Sequence, residues 1–305
     1  MTDDRGIIMG RIDSNFTLRG LGTALVTPFR DGEVDYDAFA ALVDRQVLAG
    51  VDFLVPLGST GETPCLEDEE KVALTECAAS RSGGRPVMVG VGTNSFRHTV
   101  RNIRLLEDHG ADLFLVVVPY YNKPTQRGML EYFKAVASET DKPVVLYNVP
   151  SRTGANMTAE TALELARTDN IIAVKEASGD LEQIRKIIEG APDGFTVLSG
   201  NDDQTLDVMK AGGAGIISVA SNIAPDLMAD LTAAAAAGDY KIAGMLNERL
   251  SPLFKGCFIE SNPIPVKAGL AAMGLICNEL RLPLVPAEQS TYEEMERIIS
   301  SLKNR

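Results

Sequence analysis

Eight short, nearly continuous apolar runs recur along this sequence at regular intervals. Strands of a parallel sheet that is covered on both faces have this composition, because neither face of the strand meets water. The runs are TALVTPF (23–29), FLVPLGS (53–59), PVMVGVG (86–92), LFLVVVP (113–119), VVLYNVP (144–150), IIAVKEA (171–177), TVLSGND (196–202) and GIISVAS (215–221). The sequence therefore predicts eight buried parallel strands.

The segments between these runs have the periodicity of amphipathic helices. In YDAFAALVDRQVLAG, for example, apolar residues recur at Phe39, Leu42, Val43 and Val47, and Gly50 provides a stop. Alternating strands and helices build parallel sheets through right-handed crossovers, and eight units of this size favour a closed barrel over an open sheet. No G-x-G-x-x-G motif follows the first run, which weakens the open-sheet alternative. We predict an α/β fold, a (β/α)₈ TIM barrel over residues 20–237.

The two ends of the chain differ from the repeating part. After residue 237 the helical segments GDYKIAGMLNERLSPLF, NPIPVKAGLAAMG and STYEEMERIISSL follow one another without a strand-like run between them. We expect residues 238–305 to form a C-terminal helical appendage packed on the barrel. Residues 1–19 are predicted to be an N-terminal extension and a candidate for disorder.

Charge and hydropathy exclude several classes of partner. The net charge of −13 over 305 residues argues against nucleic acid or an anionic membrane surface as the main partner. No window reaches the 18 or so consecutive apolar residues that a membrane-spanning helix needs. The first residues contain acids and no apolar core of signal-peptide length, so we expect a cytoplasmic protein.

Cysteine and histidine usage argues against a metal site. The four cysteines show no C-x-x-C spacing, which indicates reduced thiols. The two histidines, His98 and His109, form no H-x-H or H-E-x-x-H motif. A histidine-ligated zinc ion and a Ser-His-Asp site are therefore both poor hypotheses, and we predict no metal.

In a TIM barrel the chemistry lies at the carboxyl ends of the strands and in the loops that follow. Four strand ends carry polar clusters, and the sixth run contains a lysine. The clusters are GSTGE (58–62), PYYNKP (119–124), YNVPSRTG (147–154) and SGND (199–202). We expect the functional residues among these segments.

Lys175 stands in the apolar run 171–177, where a charged side chain is unexpected. It has the same strand parity as Ile171 and Ala173, and both faces of a barrel strand are shielded from bulk water. Desolvation disfavours the charged form of an amine, and a neutral amine attacks a carbonyl to form an imine. The competing interpretation is a lysine that pairs with a carboxylate such as Glu176 or reaches out of the barrel mouth.

Other side chains at the same end could support this chemistry. Tyr147 lies near the top of the neighbouring strand, where a phenol could shuttle the protons of imine formation, although most buried tyrosines are simply packed. The backbone and hydroxyls of Ser59 and Thr60 could hold a carboxylate, or form an ordinary turn. Arg152 could bind a second carboxylate, or be a surface arginine.

Together these residues resemble the pyruvate-dependent class I aldolases, the family of dihydrodipicolinate synthase and N-acetylneuraminate lyase. The resemblance runs from about residue 20 to 303 and rests on GSTGE, YYNKP, YNVPSRTG, VKEASG, SGND and NPIPVK. The dihydrodipicolinate synthase branch matches best, because that branch has an arginine at the place of Arg152. The resemblance to this branch implies condensation of pyruvate with L-aspartate 4-semialdehyde in the lysine and diaminopimelate pathway, without a cofactor.

The resemblance also implies a role for each residue of the site. Lys175 would form the Schiff base with pyruvate, and Tyr147 would relay protons through Ser59 to Tyr121 of the partner subunit in a tight dimer. The substrate-binding residues would be Thr60 for the pyruvate carboxylate, Arg152 for the aldehyde's carboxylate, and Gly200 and Ile217 through their backbone groups. A homotetramer built as a dimer of dimers follows from the same resemblance.

Feedback inhibition by lysine is expected to be weak or absent. Lysine-inhibited members of the family have histidines after the GSTGE loop and a glutamate after the third strand. This sequence has Asp68, Lys71 and His98 at those places, although Asn94 and Tyr120 match.

Two other functions stay open at this point. A relative that cleaves sugar acids would need hydroxyl-binding groups where Arg152 stands. A non-catalytic barrel that binds a small acid would need an unreactive Lys175.

Overall fold

The computed structural model describes Ile12 and residues 16–303, and its centre is a ring of eight parallel strands. The strands are β1 Gly20–Ala24, β2 Phe53–Val55, β3 Met88–Gly90, β4 Leu113–Val117, β5 Val144–Asn148, β6 Ile171–Glu176, β7 Thr196–Ser199 and β8 Gly215–Ser218. Successive strands are neighbours, and β1 pairs with both β2 and β8. A parallel bridge between Leu54 and Val87 joins β2 to β3 and closes the ring. The predicted TIM barrel is confirmed.

Helices surround the ring and follow one another after it. Those within the barrel are α1 Tyr36–Ala49, α2 Asp68–Arg81, α3 Phe96–Leu106, α4 Gln126–Ala137, α5 Pro150–Thr153, α6 Ala159–Leu165, α7 Leu181–Gly190, α8 Thr205–Lys210 and α9 Pro225–Ala236. Three more follow: α10 Tyr240–Gly256, α11 Ile264–Ala272 and α12 Gln289–Lys303. A small hairpin pairs Phe29–Arg30 with Glu33–Val34. The C-terminal segments are helical, as predicted.

Helix α1 shows how local sequence sets the boundaries. The Asp35 side chain accepts a hydrogen bond from the Ala38 amide at the N-terminus. At the other end Gly50 adopts a left-handed conformation with φ of 86° and closes the helix. Both are standard capping arrangements, and they place the helix where the apolar periodicity predicted it.

Two apolar cores lie on either side of the strands. The larger one fills the space between the ring and its helices, and it includes residues of α10, α11 and α12. The smaller one fills the barrel lumen and includes Phe53, Met88, Leu115 and Leu198. Successive side chains of a strand point to opposite sides, so each strand contributes to both cores.

The first strand lies earlier in the sequence than predicted. The run 23–29 predicts a strand there, but β1 is Gly20–Ala24. The Phe53 ring fills the space beside Gly22 so closely that a Cβ atom there would lie 2.0 Å from it. The strand therefore includes glycines that an apolar-run criterion overlooks, and the chain leaves the sheet before Pro28.

The described part of the N-terminal segment packs into the barrel lumen. Leu18 is fully buried in the lumen core, and Ile12 and Phe16 pack against it.

No helix among the described residues is both long and apolar enough to cross a membrane. The division of the chain at residues 19 and 237 stays a prediction, and most of residues 1–19 lies outside the described residues.

Candidate active site

Lys175 lies at the carboxyl end of β6, inside the barrel, with 5% of its surface exposed. Its register partners are Tyr147 on β5 and Leu198 on β7. Its Nζ atom lies 4.3 Å from the centre of the Tyr147 ring. The structure thus brings the predicted lysine and tyrosine into contact.

Lys175 shares its side of β6 with Ala173, as predicted, but not with Ile171. Ala173 belongs to the lumen core, but Ile171 packs in the outer core and Ile172 against the lumen side. The pairing of β5 with β6 shifts by one residue here, since Val144 pairs with Ile171 and Val145 pairs with Ala173. A bulge reverses the alternation, so Ile171 and Lys175 face opposite sides.

Glu176 has its own partners and does not neutralise Lys175. Its carboxylate accepts hydrogen bonds from the Asn148 side chain at 3.0 and 3.2 Å and from the Ser178 amide at 2.7 Å. The Gln183 amide also donates to it. Burial raises the pKa of Glu176, and these hydrogen bonds oppose that effect. The alternative interpretation of a Lys175–Glu176 pair is therefore wrong.

Asp202 is a buried carboxylate at the same end of the barrel that sequence reasoning did not single out. It accepts hydrogen bonds from the Ser218 hydroxyl at 2.5 Å and from the Val219 and Ala220 amides at 3.1 Å each. Burial raises its pKa, and the donors and the charge of Lys175 oppose that rise. Asp202 is therefore a buried carboxyl group close enough to Lys175 for the two side chains to interact electrostatically.

The GSTGE segment forms a tight turn, with Ser59–Gly61 in a 3₁₀ helix. Left-handed residues lie on both sides of it, because Leu57 has φ of 58° and Glu62 has φ of 53°. Such a conformation costs a non-glycine residue about 1–2 kcal/mol, so surrounding contacts must hold the turn. Thr60 is buried and Ser59 is exposed at the mouth.

Arg152 is held at the mouth by the short helix α5. Pro150 begins this helix, and Gly154 ends it in a left-handed conformation with φ of 71°. The Arg152 Nη2 atom donates a hydrogen bond to the Asn262 carbonyl at 3.0 Å. The guanidinium therefore has a fixed position and further donors for a ligand.

Most of the predicted site residues line one small cavity of about 60 Å³. That is room for about four water-sized spheres, a space on the scale of a small carboxylic acid. The predicted residues around it are Ser59, Thr60, Tyr147, Arg152, Lys175 and Gly200. A wider cavity of about 420 Å³ shares Ser59, Tyr147 and Arg152 with it and opens outward. A small acid bound near Lys175 would thus have a second compartment beside it.

Gly200 is required by the packing of its neighbours. A Cβ atom at this position would lie 2.6 Å from the Cβ atom of Ala177. The Gly200 amide donates to the Glu176 carbonyl at 2.8 Å. Only glycine therefore lets the end of β7 approach the loop that follows Lys175 so closely.

Two predicted residues do not line either cavity. Ile217 is fully buried in the lumen core. Tyr121 is 88% exposed and has a left-handed backbone with φ of 69°. The Tyr121 side chain therefore points into solvent within a single chain, and the roles of both residues stay predictions.

Asn262 is the residue of the site that sequence reasoning missed most clearly. It comes from the NPIPVK segment, more than 80 residues after Lys175 in the sequence. Its Nδ2 atom donates to the Thr60 hydroxyl at 3.0 Å, and its carbonyl accepts from Arg152. The NPIPVK motif was the only sign of Asn262 in the sequence, because a contact between residues so far apart along the chain leaves no local pattern.

The arrangement suits the binding of a small carbonyl acid. It places an amine and a phenol in a closed space, with a guanidinium and a hydroxyl-bearing turn at the entrance. Among the described residues no group of three His, Cys, Asp or Glu side chains could hold a metal ion. All four cysteines are free thiols.

Comparison with known proteins identifies the family. The family model described as the dihydrodipicolinate synthetase family matches residues 17–302. A 4-hydroxy-tetrahydrodipicolinate synthase of Phocaeicola vulgatus is 48% identical over 289 residues, which cover 94% of this chain and 97% of the relative.

Two solved structures are also close to this fold. The crystal structure of dihydrodipicolinate synthase from Thermotoga maritima has a TM-score of 0.93 at 43% identity, covering 94% of this chain and 99% of the other. A monomeric dihydrodipicolinate synthase variant has a TM-score of 0.92 at 44% identity, with 94% and 97% covered. By sequence and by fold, this chain belongs to the dihydrodipicolinate synthetase family.

Proposed function

We propose that the protein is a 4-hydroxy-tetrahydrodipicolinate synthase, a lyase that condenses pyruvate with L-aspartate 4-semialdehyde in lysine and diaminopimelate biosynthesis. The curated relatives with this name are 44–48% identical over more than nine-tenths of the chain. The observation that supports it most is the contact of Lys175 with Tyr147 in a cavity that also contains Arg152.

The chemistry begins with the Lys175 amine. Its nitrogen adds to the ketone carbon of pyruvate to give a carbinolamine, which loses water to form the imine. Loss of a proton from the methyl group gives the enamine, whose carbon then adds to the aldehyde carbon of the second substrate. The amine of that substrate attacks the imine carbon, which closes the ring and releases Lys175.

Proton transfer and binding are assigned to the other residues of the site. We assign to Tyr147 the proton transfers of carbinolamine formation and dehydration, because it carries a phenol hydroxyl and lies beside the Lys175 amine. The turn with Thr60 binds the pyruvate carboxylate, and Arg152 binds the carboxylate of the aldehyde. Ser59 and Gly200 complete the cavity, and Ile217 acts through its backbone beneath it.

Arg152 argues against the sugar-acid alternative. A polyol acceptor needs hydroxyl-binding groups, whereas a guanidinium at the mouth fits a second carboxylate. A non-catalytic barrel has no use for a buried lysine whose neighbouring carboxylate, Glu176, is fully engaged elsewhere. No observation favours either alternative over the synthase.

The proposed assembly is a homotetramer, a dimer of dimers. The loop after β4 supports an interface, because Tyr121 and Lys123 are both left-handed and Tyr121 is almost fully exposed. Strained residues that present an aromatic ring to solvent are typical of contact sites. In a dimer Tyr121 would then reach the partner's site and join the relay through Ser59.

Cytoplasmic localisation and weak inhibition by lysine complete the proposal. The first rests on the proposed biosynthetic role, and the second rests on Asp68, Lys71 and His98. An inhibition constant for lysine in the micromolar range would contradict the second.

A direct test is turnover of pyruvate and aspartate semialdehyde, followed through a reductase that consumes NADPH. We expect turnover with the wild type and none with Lys175→Ala. Absence of turnover in the wild type, with a sugar acid cleaved instead, would contradict the proposal.

A further inference from the structure

An ion pair is completely buried beneath the GSTGE turn. The Lys267 Nζ atom lies 2.6 Å from Glu62 Oε1, and neither side chain is exposed. Lys267 also donates to the Thr27 carbonyl at 2.8 Å and lies 4.3 Å from the centre of the Phe29 ring. A fully buried charge pair of this kind is uncommon, and its place beside the site calls for an explanation.

The pair holds the end of the turn from several sides. Glu62 follows the turn directly and is itself left-handed, so its backbone depends on its side-chain contacts. Its second carboxylate oxygen accepts from the Arg281 amide at 3.0 Å. The Thr27 hydroxyl donates to the Gly61 carbonyl at 2.7 Å. Contacts to Glu62 and Gly61 thus fix the peptide units on one side of Thr60.

The segment that carries Lys267 also reaches the other binding groups. Asn262, five residues earlier, donates to the Thr60 hydroxyl and accepts from Arg152. One segment, 262–267, therefore contacts both of the groups that we assign to carboxylate binding. Lys267 anchors it to the turn through Glu62.

We propose that Glu62 and Lys267 are a positioning pair, which holds the turn of Thr60 at the distance from Lys175 that pyruvate requires. This inference rests on the proposed function. A buried ion pair often adds little stability compared with apolar residues of similar size, so a geometric role accounts better for this one. A displaced binding group makes weaker contacts with its ligand, so loss of the pair should weaken the binding of pyruvate.

The test replaces the pair by neutral residues of similar size, Glu62→Gln together with Lys267→Met. Each single substitution serves as a comparison, because it leaves one buried charge without its partner. The matched control is Lys134→Met with Glu164→Gln, which removes an exposed pair of 3.0 Å between α4 and α6. For each protein we would measure thermal unfolding, KM for pyruvate, kcat and the yield of borohydride-trapped pyruvate.

We expect the double variant to unfold at a higher temperature than either single variant. Its KM for pyruvate should nevertheless rise about tenfold or more, which corresponds to about 1.4 kcal/mol of binding. Its kcat and its adduct yield at saturating pyruvate should change much less, because Lys175 is untouched. The control pair should leave all four quantities unchanged.

A folded double variant whose KM for pyruvate stays within about twofold of wild type would overturn the inference. If the double variant does not fold, Glu62→Asp decides the question, since it keeps both charges and shortens the link by one methylene. An unchanged KM for pyruvate in Glu62→Asp would overturn the inference equally. A wild type that neither binds pyruvate nor turns it over would instead overturn the proposed function.

Discussion

At the scale of single residues, Lys175 is the charged residue that interrupts the apolar pattern of its strand. A lysine in an apolar run predicted a buried amine, and the structure places it inside the barrel against Tyr147. The sequence left the competing pairing with Glu176 open. Only the hydrogen bonds of Glu176 to Asn148 and Ser178 exclude it, and they depend on the register of two strands.

Replacing Tyr147 by Phe tests proton transfer. The substitution removes the hydroxyl and keeps the ring beside Lys175, so we expect kcat to fall about 10²- to 10⁴-fold, the range of general acid–base catalysis. Steady-state kinetics of the coupled assay measures this.

The matched control for Tyr147 is Tyr132→Phe. Tyr132 is a tyrosine of α4 whose hydroxyl donates to the Thr93 carbonyl at 2.9 Å, and burial raises its pKa to about 12. Its loss should lower stability and leave kcat near the wild-type value. A Tyr147→Phe variant with kcat within about threefold of wild type would rule out the relay.

Replacing Arg152 by Lys tests the second carboxylate site. Lysine keeps the charge but loses the planar fork, so we expect KM for aspartate semialdehyde to rise about 10- to 100-fold. KM for pyruvate should change little in the same variant. Arg167→Lys, an exposed arginine of the outer surface, is the control. Equal effects on both substrates would argue that Arg152 only maintains the loop.

At the scale of elements, strands and helices were easier to predict than the loops between them. Helix α1 has its predicted limits because Asp35 and Gly50 are local capping signals. Strand β1 was misplaced because Gly22 contributes no apolar side chain, and the bulge at Ile172 leaves no local signal at all. Asn262 and Asp202 reach the site through distant contacts, which periodicity does not detect.

The contact between α2 and the segment after α11 gives a pH-dependent prediction. Arg281 donates two hydrogen bonds of 2.6 Å to the Glu70 carboxylate, and these hold the pKa of Glu70 below its usual value. The pKa of Glu70 is lower in the folded chain than its ordinary value of 4.5. The ionised carboxylate therefore stabilises the fold above pH 4.5, and this stabilisation is lost as the pH falls through the lowered pKa of the folded state.

We therefore expect Glu70→Gln to lose about 1 kcal/mol at neutral pH, or about 2 °C in Tm. The difference from wild type should shrink in strong acid, below the lowered pKa. Thermal unfolding at both pH values measures it. Glu294→Gln, which removes a surface pair with Arg297, should not change Tm. A difference for Glu70→Gln that is independent of pH would show that the ion pair contributes nothing.

At the scale of the whole molecule, the sequence predicted the barrel and most of the cavity. Six of the eight predicted site residues line one cavity, because barrel topology gathers the strand ends at one mouth. Ile217 and Tyr121 came from the resemblance alone: Ile217 lies in the lumen core without lining either cavity, and Tyr121 is exposed in a single chain. A contribution from a second subunit lies beyond what one chain's pattern can predict.

Complementation between inactive variants tests the shared site. Tyr121→Ala and Lys175→Ala should each be nearly inactive as separate proteins. Co-expression should restore part of the activity, because a mixed dimer contains one site with an intact Lys175 and the partner's Tyr121. Analytical ultracentrifugation of the mixture checks that dimers form. Assembled but inactive mixed dimers would contradict the contribution of Tyr121 across the interface.

The most direct test of the account is the mass of the intact protein after reduction with borohydride in the presence of pyruvate. We predict a gain of one reduced pyruvate per chain, mapped by peptide sequencing to Lys175 and absent in Lys175→Ala. Lys267 is an internal control, since it is also buried but is paired with Glu62 and should stay unmodified. An unchanged mass, or an adduct elsewhere, would contradict the assignment of Lys175 as the imine-forming residue.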